Sequence, residues 1–424
     1  MSPAKLRSSR TIYSQNLRAR FFRKTESRRS WIGHWSVQER IAAPRGQNCP
    51  NRAHKAARGQ REDFQVFIVD LGWDTYFEAL WNAKREENCV PARVVSQQRG
   101  LWRVAGDFPE RWAEPSGKLR KEAEEGGDWP AVGDWSSVEL HPGQTNAAIQ
   151  YVLPRRSRFA RKAAGKEIVE QVIAANIDLA LIVAALDGDF NVRRIERYMA
   201  QCWESGAHPA IVLNKADACE ESAEHLAEVD RIATGVPTFL VSAKTGAGLD
   251  ALEAHFKKGQ TIVLLGSSGV GKSTLVNRLL QENRQATHAV RESDSRGRHT
   301  TTSRQLFMLP SGVMIIDTPG LRELQLWNAA DGFPQTFADI DQLAAQCRFG
   351  DCRHENEPGC AVQAALASGM IDTGRLENWR KLQREHDFLL RKTSAEARHA
   401  EKKRAKVIVR QVKDKYQNRD KGKQ

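Results

Sequence analysis

One stretch of this 424-residue sequence decides its fold: Thr261-Ile-Val-Leu-Leu265-Gly266-Ser267-Ser268-Gly269-Val270-Gly271-Lys272-Ser273-Thr274. A short apolar run, predicted to be a strand, leads into G-x-x-x-x-G-K-[ST] and then into helix-forming residues 274–280, which is the context of a phosphate-binding loop. Glycines in such a loop let backbone N–H groups and a helix N-terminus face the phosphates. We therefore predict that residues 266–274 bind a nucleotide, with Lys272 on the β- and γ-phosphates and Ser273 as a Mg²⁺ ligand.

A second motif follows the apolar run 313–316 and reads Asp317-Thr-Pro-Gly320. Asp317 is expected to hold Mg²⁺ through water, and the Gly320 N–H to sense the γ-phosphate. Between the two motifs lies the polar segment Ser295-Arg-Gly-Arg-His299-Thr300-Thr301-Thr302, which is typical of a switch loop. Spacing does not fix which threonine completes the Mg²⁺ shell, and Thr301 is the first choice. The alternative is a surface loop that binds no phosphate.

Two further motifs predict that the base is guanine. Asn214-Lys215-Ala216-Asp217 follows the apolar run 210–213, and Ser242-Ala243-Lys244 follows the run 238–241. The Asp217 carboxylate can accept both N1–H and N2–H of guanine, the Lys215 stem can lie along the base, and a backbone N–H in the second motif can meet O6. Adenine does not offer the same pair of donors, so the cofactor pair is GTP and GDP.

The order of these motifs is informative, because both base-binding motifs precede the phosphate loop. A parallel α/β sheet accommodates that order if its usual termini are joined and the chain is opened elsewhere. The sequence therefore predicts a circularly permuted P-loop GTPase domain, opened after the Asp317 strand. The apolar runs 177–185, 210–213, 238–241, 261–265 and 313–316 supply its strands, and helical segments 192–202 and 218–234 lie between some of them.

Three cysteines and a histidine crowd into fourteen residues as Cys347-x₄-Cys352-x-His354-x₅-Cys360. Three thiolates and one imidazole form a complete tetrahedral zinc set, so we predict one structural Zn²⁺ in a helical module. The alternative is a group of buried or redox-active cysteines. The crowding also favours a reducing compartment over a disulfide framework.

The remaining sequence divides around these motifs. Short β-type runs at 90–95, 101–104, 135–140 and 148–153 predict a small OB-like barrel of about five strands, or nearly as well an SH3-like one, with a long loop over 107–130. The domain boundaries follow: a basic disordered arm 1–62, the barrel 63–155, the GTPase domain 156–332, the zinc-binding helical module 333–390 and a basic tail 391–424.

The charge is concentrated at the two ends. The chain carries 65 Lys+Arg against 52 Asp+Glu, a net charge of +13. Residues 1–60 hold 14 against 2 and residues 391–424 hold 13 against 4, which leaves −8 for the part between them. Basic ends favour a polyanionic partner such as nucleic acid, although solvated tails have the same composition. The longest apolar runs are too short for a bilayer, so we expect a cytoplasmic protein, with a cleaved transit peptide as a minor alternative.

The combination resembles the ribosome small subunit-dependent GTPase A family (RsgA, also called YjeQ). The resemblance rests on the motif order above and on further stretches: Leu71-Gly72-Trp73, Ala131-Val-Gly-Asp134-Trp135 and Leu153-Pro-Arg-Arg-Ser157. It implies a GTPase that acts late in maturation of the small (30S) ribosomal subunit, is stimulated by that subunit and binds its rRNA through the barrel and the zinc module. We expect a monomer with no membrane partner.

Two positions bear on catalysis. Leu321 stands where Ras-like enzymes carry a glutamine that orients water, so unaided hydrolysis should be slow. His299 resembles the residue proposed to position water in the family, although docking of the switch loop would also explain it. Gly269 stands where some potassium-stimulated relatives carry asparagine, which puts potassium activation in doubt.

The rival functions are an RNA-binding scaffold that uses GTP as a structural switch, and a P-loop kinase or ATPase.

Overall fold

The computed structural model describes residues 67–98, 100–124, 129–141, 143–162, 170–281, 304–317 and 332–393. None of the helices in these ranges combines the length and apolar character needed to cross a membrane. The predicted basic arm lies outside the described residues, as does the predicted tail from residue 394 onward. The predicted switch segment 295–302 and the Thr-Pro-Gly320 part of the second motif also lie outside them.

A five-stranded barrel comes first. Its elements are α1 (Thr75–Lys84), β1 (Cys89–Gln98), β2 (Leu101–Gly106), β3 (Phe108–Pro115), α2 (Gly117–Glu124), β4 (Trp135–Leu140) and β5 (Asn146–Val152). Strand β1 pairs with both β2 and β4, which closes the barrel, and β3 pairs in parallel with β5. A closed five-stranded barrel with this order confirms the OB-like prediction over the SH3-like alternative.

The prediction of a long loop over 107–130 is wrong, because this segment contains β3 and α2. Charged residues interrupt both elements and hide their periodicity. Along β3 only Ala113 and Pro115 are buried, and in α2 the buried side chains are Leu119 and Ala123 among the described ones. One narrow apolar stripe is enough for each element here, since the rest of its surface faces solvent.

A parallel sheet forms the centre of the molecule. After the hairpin β6 (Arg158–Lys162) and β7 (Glu170–Ala175), its elements are β8 (Leu179–Ala185), α3 (Val192–Ser205), β9 (His208–Asn214), α4 (Ser222–Ile232), β10 (Thr238–Leu240), α5 (Leu249–Ala254), β11 (Thr261–Leu265), α6 (Lys272–Leu280), β12 (Arg304–Met308) and β13 (Met314–Asp317). The order is β10-β9-β8-β11-β13-β12, in which β12 alone runs antiparallel to its neighbours.

All five apolar runs predicted as strands form strands, with bounds within two residues of the prediction. Apart from the edge strand β10, whose residues are only partly buried, they are largely buried on both faces, as a parallel sheet covered by helices requires. Alternate residues of β8 show this, because Ile182 belongs to one hydrophobic cluster and Leu181 and Val183 to the other. Strand β12 and the hairpin β6–β7 were not predicted. Their apolar runs are only three or four residues long, 306–308 in β12 and 172–175 in β7, and charged or polar residues make up the rest of these strands.

Strand β12 joins the barrel to the parallel sheet. It pairs with β13 on one side and with the barrel strand β1 on the other, where Gln305 lies opposite Ser96 and Arg304 opposite Gln97. The Arg304 guanidinium also donates to the Gln97 side-chain oxygen at 3.0 Å. The described strands, apart from the β6–β7 hairpin, therefore form one continuous eleven-stranded sheet.

A buried arginine, Arg93 on β1, also stabilises the junction between the barrel and the parallel sheet. Its guanidinium donates to the Thr261 hydroxyl at 2.7 Å, to the Asn176 carbonyl at 3.2 Å and to the carbonyls of Gly133 and Leu71. Burial lowers the pKa of Arg93 to about 10, which still leaves the group charged at neutral pH. Four acceptors from four segments thus replace the water lost on burial.

The C-terminal part is a helical module of α7 (Gly332–Thr336), α8 (Ala338–Ala344), α9 (Ala361–Ala367) and α10 (Thr373–Thr393). It packs on α3, whose fully buried Glu196 accepts from Arg375 at 2.8 Å, from Arg193 at 2.6 Å and from Asn378 at 2.6 Å. Arg375 donates to Asp339 as well, at 2.7 and 2.8 Å. A buried carboxylate with this many partners is satisfied, so α3 and α10 are held together by charge-assisted hydrogen bonds.

Candidate nucleotide site and metal centre

The predicted phosphate loop lies between β11 and α6. An ideal Cβ built on Gly266, which has φ +140°, would lie 2.3 Å from the Val183 carbonyl oxygen, and one on Gly271, which has φ +95°, would lie 2.2 Å from the Asn214 side-chain nitrogen. Both positions therefore require glycine. The Lys272 ammonium reaches back over the loop and donates to the carbonyls of Gly266 at 2.7 Å and Ser267 at 2.6 Å.

Helix α6 begins at Lys272, so Ser273 and Thr274 lie in its first turn. The first N–H groups of a helix have no partner within it and carry a partial positive charge. An anion placed at the loop would meet these N–H groups and the Lys272 ammonium together. The remaining loop residues, Ser268, Gly269 and Val270, lie between the two constrained glycines.

The base-binding motifs lie at the ends of the neighbouring strands. Asn214 is the last residue of β9 and is 2% exposed. Its side-chain nitrogen donates to the Val270 carbonyl at 2.8 Å, and its oxygen accepts the Ala243 N–H at 2.9 Å. Asn214 therefore connects the phosphate loop to the second base-binding motif.

Asp217 lies beside this bridge. The Ser242 hydroxyl donates to its carboxylate at 2.6 Å, and this hydrogen bond holds the pKa of Asp217 below its ordinary value. The carboxylate thus stays ionised and able to accept two N–H groups from a base. Arg278 on α6 donates to the carbonyls of Ala243 at 3.1 Å and Lys244 at 2.5 Å, which ties the phosphate-loop helix to the same motif.

Parallel strands explain why these segments meet. The carboxyl ends of β9, β10, β11 and β13 lie along one edge of the sheet, and each end carries one predicted motif. Asp317, the last residue of β13, therefore lies at the same edge as the phosphate loop. A ligand site at the carboxyl ends of the strands is the rule in open α/β sheets. The predicted His299, Thr301 and Gly320 lie outside the described residues.

Sequence reasoning did not single out the turn between β8 and α3. Its Asp187 accepts from the Lys215 ammonium at 2.6 Å, and Asp189 accepts from Arg194, which in turn donates to the Ser267 hydroxyl. The available signal was positional: two acidic residues directly after a buried parallel strand, at the edge where the other motifs end.

The four predicted zinc ligands come together in the helical module. The ligand atoms of Cys347, Cys352, His354 and Cys360 all lie within 4.8 Å of one another. Among them, the His354 Nδ1 is 3.5 Å from the Cys347 Sγ and 3.4 Å from the Cys360 Sγ, and the two sulfurs are 3.8 Å apart. Tetrahedral zinc with ordinary Zn–S and Zn–N bonds needs ligand separations of about 3.5 to 3.8 Å. The residues therefore fit zinc.

Hydrogen bonds around the cluster fix its backbone. His354 has φ +59°, and its carbonyl accepts from the side chains of Gln363 and Arg380. The Glu357 carboxylate accepts the backbone N–H groups of Arg353, Glu355 and Asn356 at 2.8 to 3.1 Å. These bonds, led by the one from Arg353, lower the pKa of Glu357 to about 2. The loop between the second and fourth ligands is thus held by the chain itself.

Comparison with known proteins agrees with this geometry. A profile of the RsgA GTPase family matches residues 152–327. A profile of ABC transporters matches residues 249–421, a range that starts just before the phosphate loop shared by P-loop proteins. The small ribosomal subunit biogenesis GTPase RsgA of Syntrophotalea carbinolica is 43% identical over 354 residues, which is 82% of this chain and 97% of the relative. The corresponding RsgA 2 of Lactiplantibacillus plantarum is 45% identical over 323 residues, 76% of this chain and 90% of the relative.

Two crystal structures share the fold. YjeQ from Thermotoga maritima superposes with a TM-score of 0.53 at 26% identity, covering 70% of this chain and 98% of that one. YloQ, described as a circularly permuted GTPase, gives a TM-score of 0.51 at 20% identity, covering 72% and 96%. The resemblance based on motif order is confirmed: this chain belongs to the RsgA family of GTPases.

Proposed function

We propose that this GTPase hydrolyses GTP during late maturation of the small ribosomal subunit and that the subunit stimulates its turnover. The observation that carries the proposal is the meeting of the base-binding motifs, the phosphate loop and Asp317 at one sheet edge in permuted order. The names of the relatives, small ribosomal subunit biogenesis GTPases, support the biological role. The predicted domain boundaries are part of this proposal.

Each predicted residue has a role in binding. Asp217 accepts from N1–H and N2–H of guanine, Lys215 lies along the base, and the backbone of Ser242-Ala243-Lys244 meets O6, while Asn214 holds the two halves of the site together. Backbone N–H groups of residues 266–274 and the Lys272 ammonium hold the phosphates. Ser273, Thr301 and Asp317 would hold Mg²⁺, which would neutralise phosphate charge. The Gly320 N–H senses the γ-phosphate.

The hydrolytic water needs a residue to orient it, and Leu321 offers no hydrogen bond. We assign this task to His299. The His299→Ala variant should lower GTP turnover by about 10²-fold, the size typical of a lost acid–base or orienting group, while GDP affinity stays within about twofold. Steady-state turnover and equilibrium GDP binding measure the two quantities. A large loss of affinity with little loss of turnover would instead support the docking role.

We propose that the Cys347, Cys352, His354 and Cys360 cluster holds one structural zinc ion. Three thiolates and one imidazole fill the tetrahedron and leave no position for a substrate. The cluster is continuous with the hydrophobic core of the module, to which Cys360 belongs together with Phe337. Zinc would therefore stabilise the module that packs on α3.

We propose that rRNA binds the barrel, the zinc module and the basic ends. On the barrel, Arg103 of β2 packs over the ring of Trp112 of β3 at 5.7 Å, and Leu101 and Trp129 are 37% and 40% exposed. Aromatic and basic side chains on these strands suit stacking of unpaired bases in an OB-like barrel. A ribosomal partner would place the chain in the cytoplasm, and we propose that it acts as a monomer.

Co-sedimentation with purified small ribosomal subunits tests the partner. The full-length protein should pellet with the subunit more strongly with a non-hydrolysable GTP analogue than with GDP. Raising the salt concentration should weaken the complex steeply, because phosphate contacts release counterions. Equal binding with both nucleotides, or no binding at low salt, would contradict the proposed partner.

A further inference from the structure

The turn between β8 and α3 supplies contacts to both halves of the nucleotide site, although no nucleotide-binding motif includes it. It runs from residue 186 to residue 191 and contains Asp187 and Asp189. Strand β8 lies between β9 and β11 in the sheet, so its carboxyl end faces the base-binding motif on one side and the phosphate loop on the other.

On the base side, Asp187 holds Lys215. One carboxylate oxygen accepts the Lys215 ammonium at 2.6 Å, and the other accepts the Asp189 N–H at 3.0 Å. Burial acts to raise the pKa of Asp187, but these two hydrogen bonds outweigh it and the pKa lies below its ordinary value. Lys215 itself has φ +67°, in the left-handed region of backbone conformation. Asp187 therefore fixes the position of the Lys215 ammonium, at the end of a long side chain that could otherwise adopt many conformations.

On the phosphate side, Asp189 acts through Arg194. Its carboxylate accepts from Arg194 Nη1 at 2.6 Å, and the same nitrogen donates to the Ser267 hydroxyl at 2.8 Å. The Ser267 carbonyl in turn accepts the Lys272 ammonium at 2.6 Å. A continuous set of hydrogen bonds thus runs from Asp189 to the lysine of the phosphate loop.

The first turn of α3 keeps Arg194 in place. The Asn191 side chain accepts the Arg194 N–H at 3.1 Å and caps the helix, so Arg194 occupies the third helical position. Exposed ion pairs of this kind stabilise a fold little. Here, however, the ion pairs hold Lys215 and Ser267, which belong to the proposed nucleotide site. The effect should therefore appear in nucleotide affinity rather than in the stability of the fold.

We propose that Asp187 and Asp189 are positioning residues for guanine nucleotide binding, the first through Lys215 and the second through Arg194 and Ser267. The proposal rests on the proposed nucleotide site and predicts the direction in which nucleotide affinity changes when a carboxylate is removed. Removing a negative charge near an anionic ligand should strengthen binding if only long-range electrostatics act. Positioning predicts the opposite, a loss of affinity when either carboxylate is removed.

The test uses Asp187→Asn and Asp189→Asn, with Asp230→Asn as a control that removes the same charge from an exposed position on α4. Dissociation constants for GDP and GMP are measured by competition at fixed Mg²⁺, with thermal unfolding to check the fold. Both test variants should bind GDP about 3- to 10-fold more weakly, the range expected for one charged hydrogen bond at a partly exposed site. The control should change affinity less than about 2-fold.

GMP binding distinguishes the role of Asp187 from that of Asp189, because GMP lacks the β-phosphate that the loop holds. Asp187→Asn should weaken GMP and GDP by the same factor, whereas Asp189→Asn should weaken only GDP. Double-mutant cycles give the readout that a general structural role would not. The effect of Asp187→Asn should vanish in a Lys215→Met background, and that of Asp189→Asn in a Ser267→Ala background.

Unchanged or tighter GDP binding by both variants would overturn this inference while leaving the proposed nucleotide site in place. Additive effects in the two cycles would overturn it as well, since they would mean that the aspartates do not act through those partners. A wild-type chain that binds no GDP would overturn the proposed function together with the inference. A loss of GDP affinity in each variant that disappears when its predicted partner, Lys215 or Ser267, is also replaced would support both roles.

Discussion

The nucleotide site and the Cys/His cluster are assembled in opposite ways. The nucleotide site gathers residues from Asn214 to Asp317, about 100 residues apart, because parallel strands end at one edge. The cluster draws its four ligands from fourteen consecutive residues, 347–360. The first site therefore depends on the register of the whole sheet, and the second on one loop and the ion that it fits. Changes at one site should leave the other largely intact, and the following predictions test that separation.

The largest effect should follow loss of the metal. In Cys360→Ser the set of ligands is incomplete, so bound zinc should fall from about one ion per chain to near zero. Structural zinc contributes about 10 kcal/mol or more in small zinc modules, so the helices that follow Phe337 should lose their fixed packing. Metal analysis and hydrogen exchange measure the two losses.

GDP affinity is the contrasting measurement for the same variant. It should change by less than about threefold, because none of the described base- or phosphate-binding residues lies in the module. Cys219→Ser, which alters a cysteine outside the cluster, serves as the control and should keep its zinc. A loss of GDP binding as large as the loss of zinc would show that the two sites are not separable.

An intermediate effect should follow from cutting the bridge inside the nucleotide site. Asn214→Ala removes the donor to Val270 and the acceptor for Ala243, and it leaves both backbone groups unsatisfied in a buried place. Each unsatisfied group costs about 1 to 3 kcal/mol of stability in the segment that Asn214 held in place. Because GDP binding would then have to order that segment, GDP affinity should fall by roughly 10- to 100-fold. Asn214→Asp, which keeps the acceptor and loses the donor, provides a matched comparison. Zinc content should not change in either variant.

The smallest effect should follow Ser242→Ala and should depend on pH. The Ser242 hydroxyl lowers the pKa of Asp217 in the folded protein, so without it the carboxyl should protonate at a higher pH. Both carboxylates are ionised above about pH 5. The wild-type carboxylate remains able to accept from guanine further down the acid range, and the variant should lose GDP affinity first as the pH falls from about 5 towards 3. GDP titrations across this range measure the difference. Parallel pH profiles for the two proteins would contradict the assigned cause.

The features that could be predicted from the sequence are those in which chemistry coincides with strong periodicity. The phosphate loop follows the fully buried β11, and Asn214 ends β9 directly after the buried residues 209–213, so both fold and site could be recognised. Strand β3 could not, because solvent covers most of it and charged residues break its pattern. Arg93 shows a different limit, since nothing in a sequence marks an arginine whose partners are backbone carbonyls and a threonine hydroxyl from distant segments.

The β8–α3 turn illustrates a third limit. Asp187 and Asp189 look like ordinary surface acids, and only the neighbouring strands bring them to Lys215 and Ser267. Their role depends on sheet order rather than on any local pattern. Residues that act through others are therefore the ones that a motif search misses.

GTP turnover with and without purified small ribosomal subunits is the decisive measurement of whether this chain is a subunit-stimulated GTPase. The isolated chain should hydrolyse GTP slowly, and a stoichiometric amount of the subunit should raise its turnover by well over about 10-fold, as stabilising a catalytic arrangement by 1.4 kcal/mol or more would do. Lys272→Ala, which removes the phosphate-binding ammonium, should abolish the stimulated rate, whereas Lys257→Ala, on the surface of the same domain, should not. A turnover that the subunit leaves unchanged would show that the small ribosomal subunit does not stimulate this GTPase.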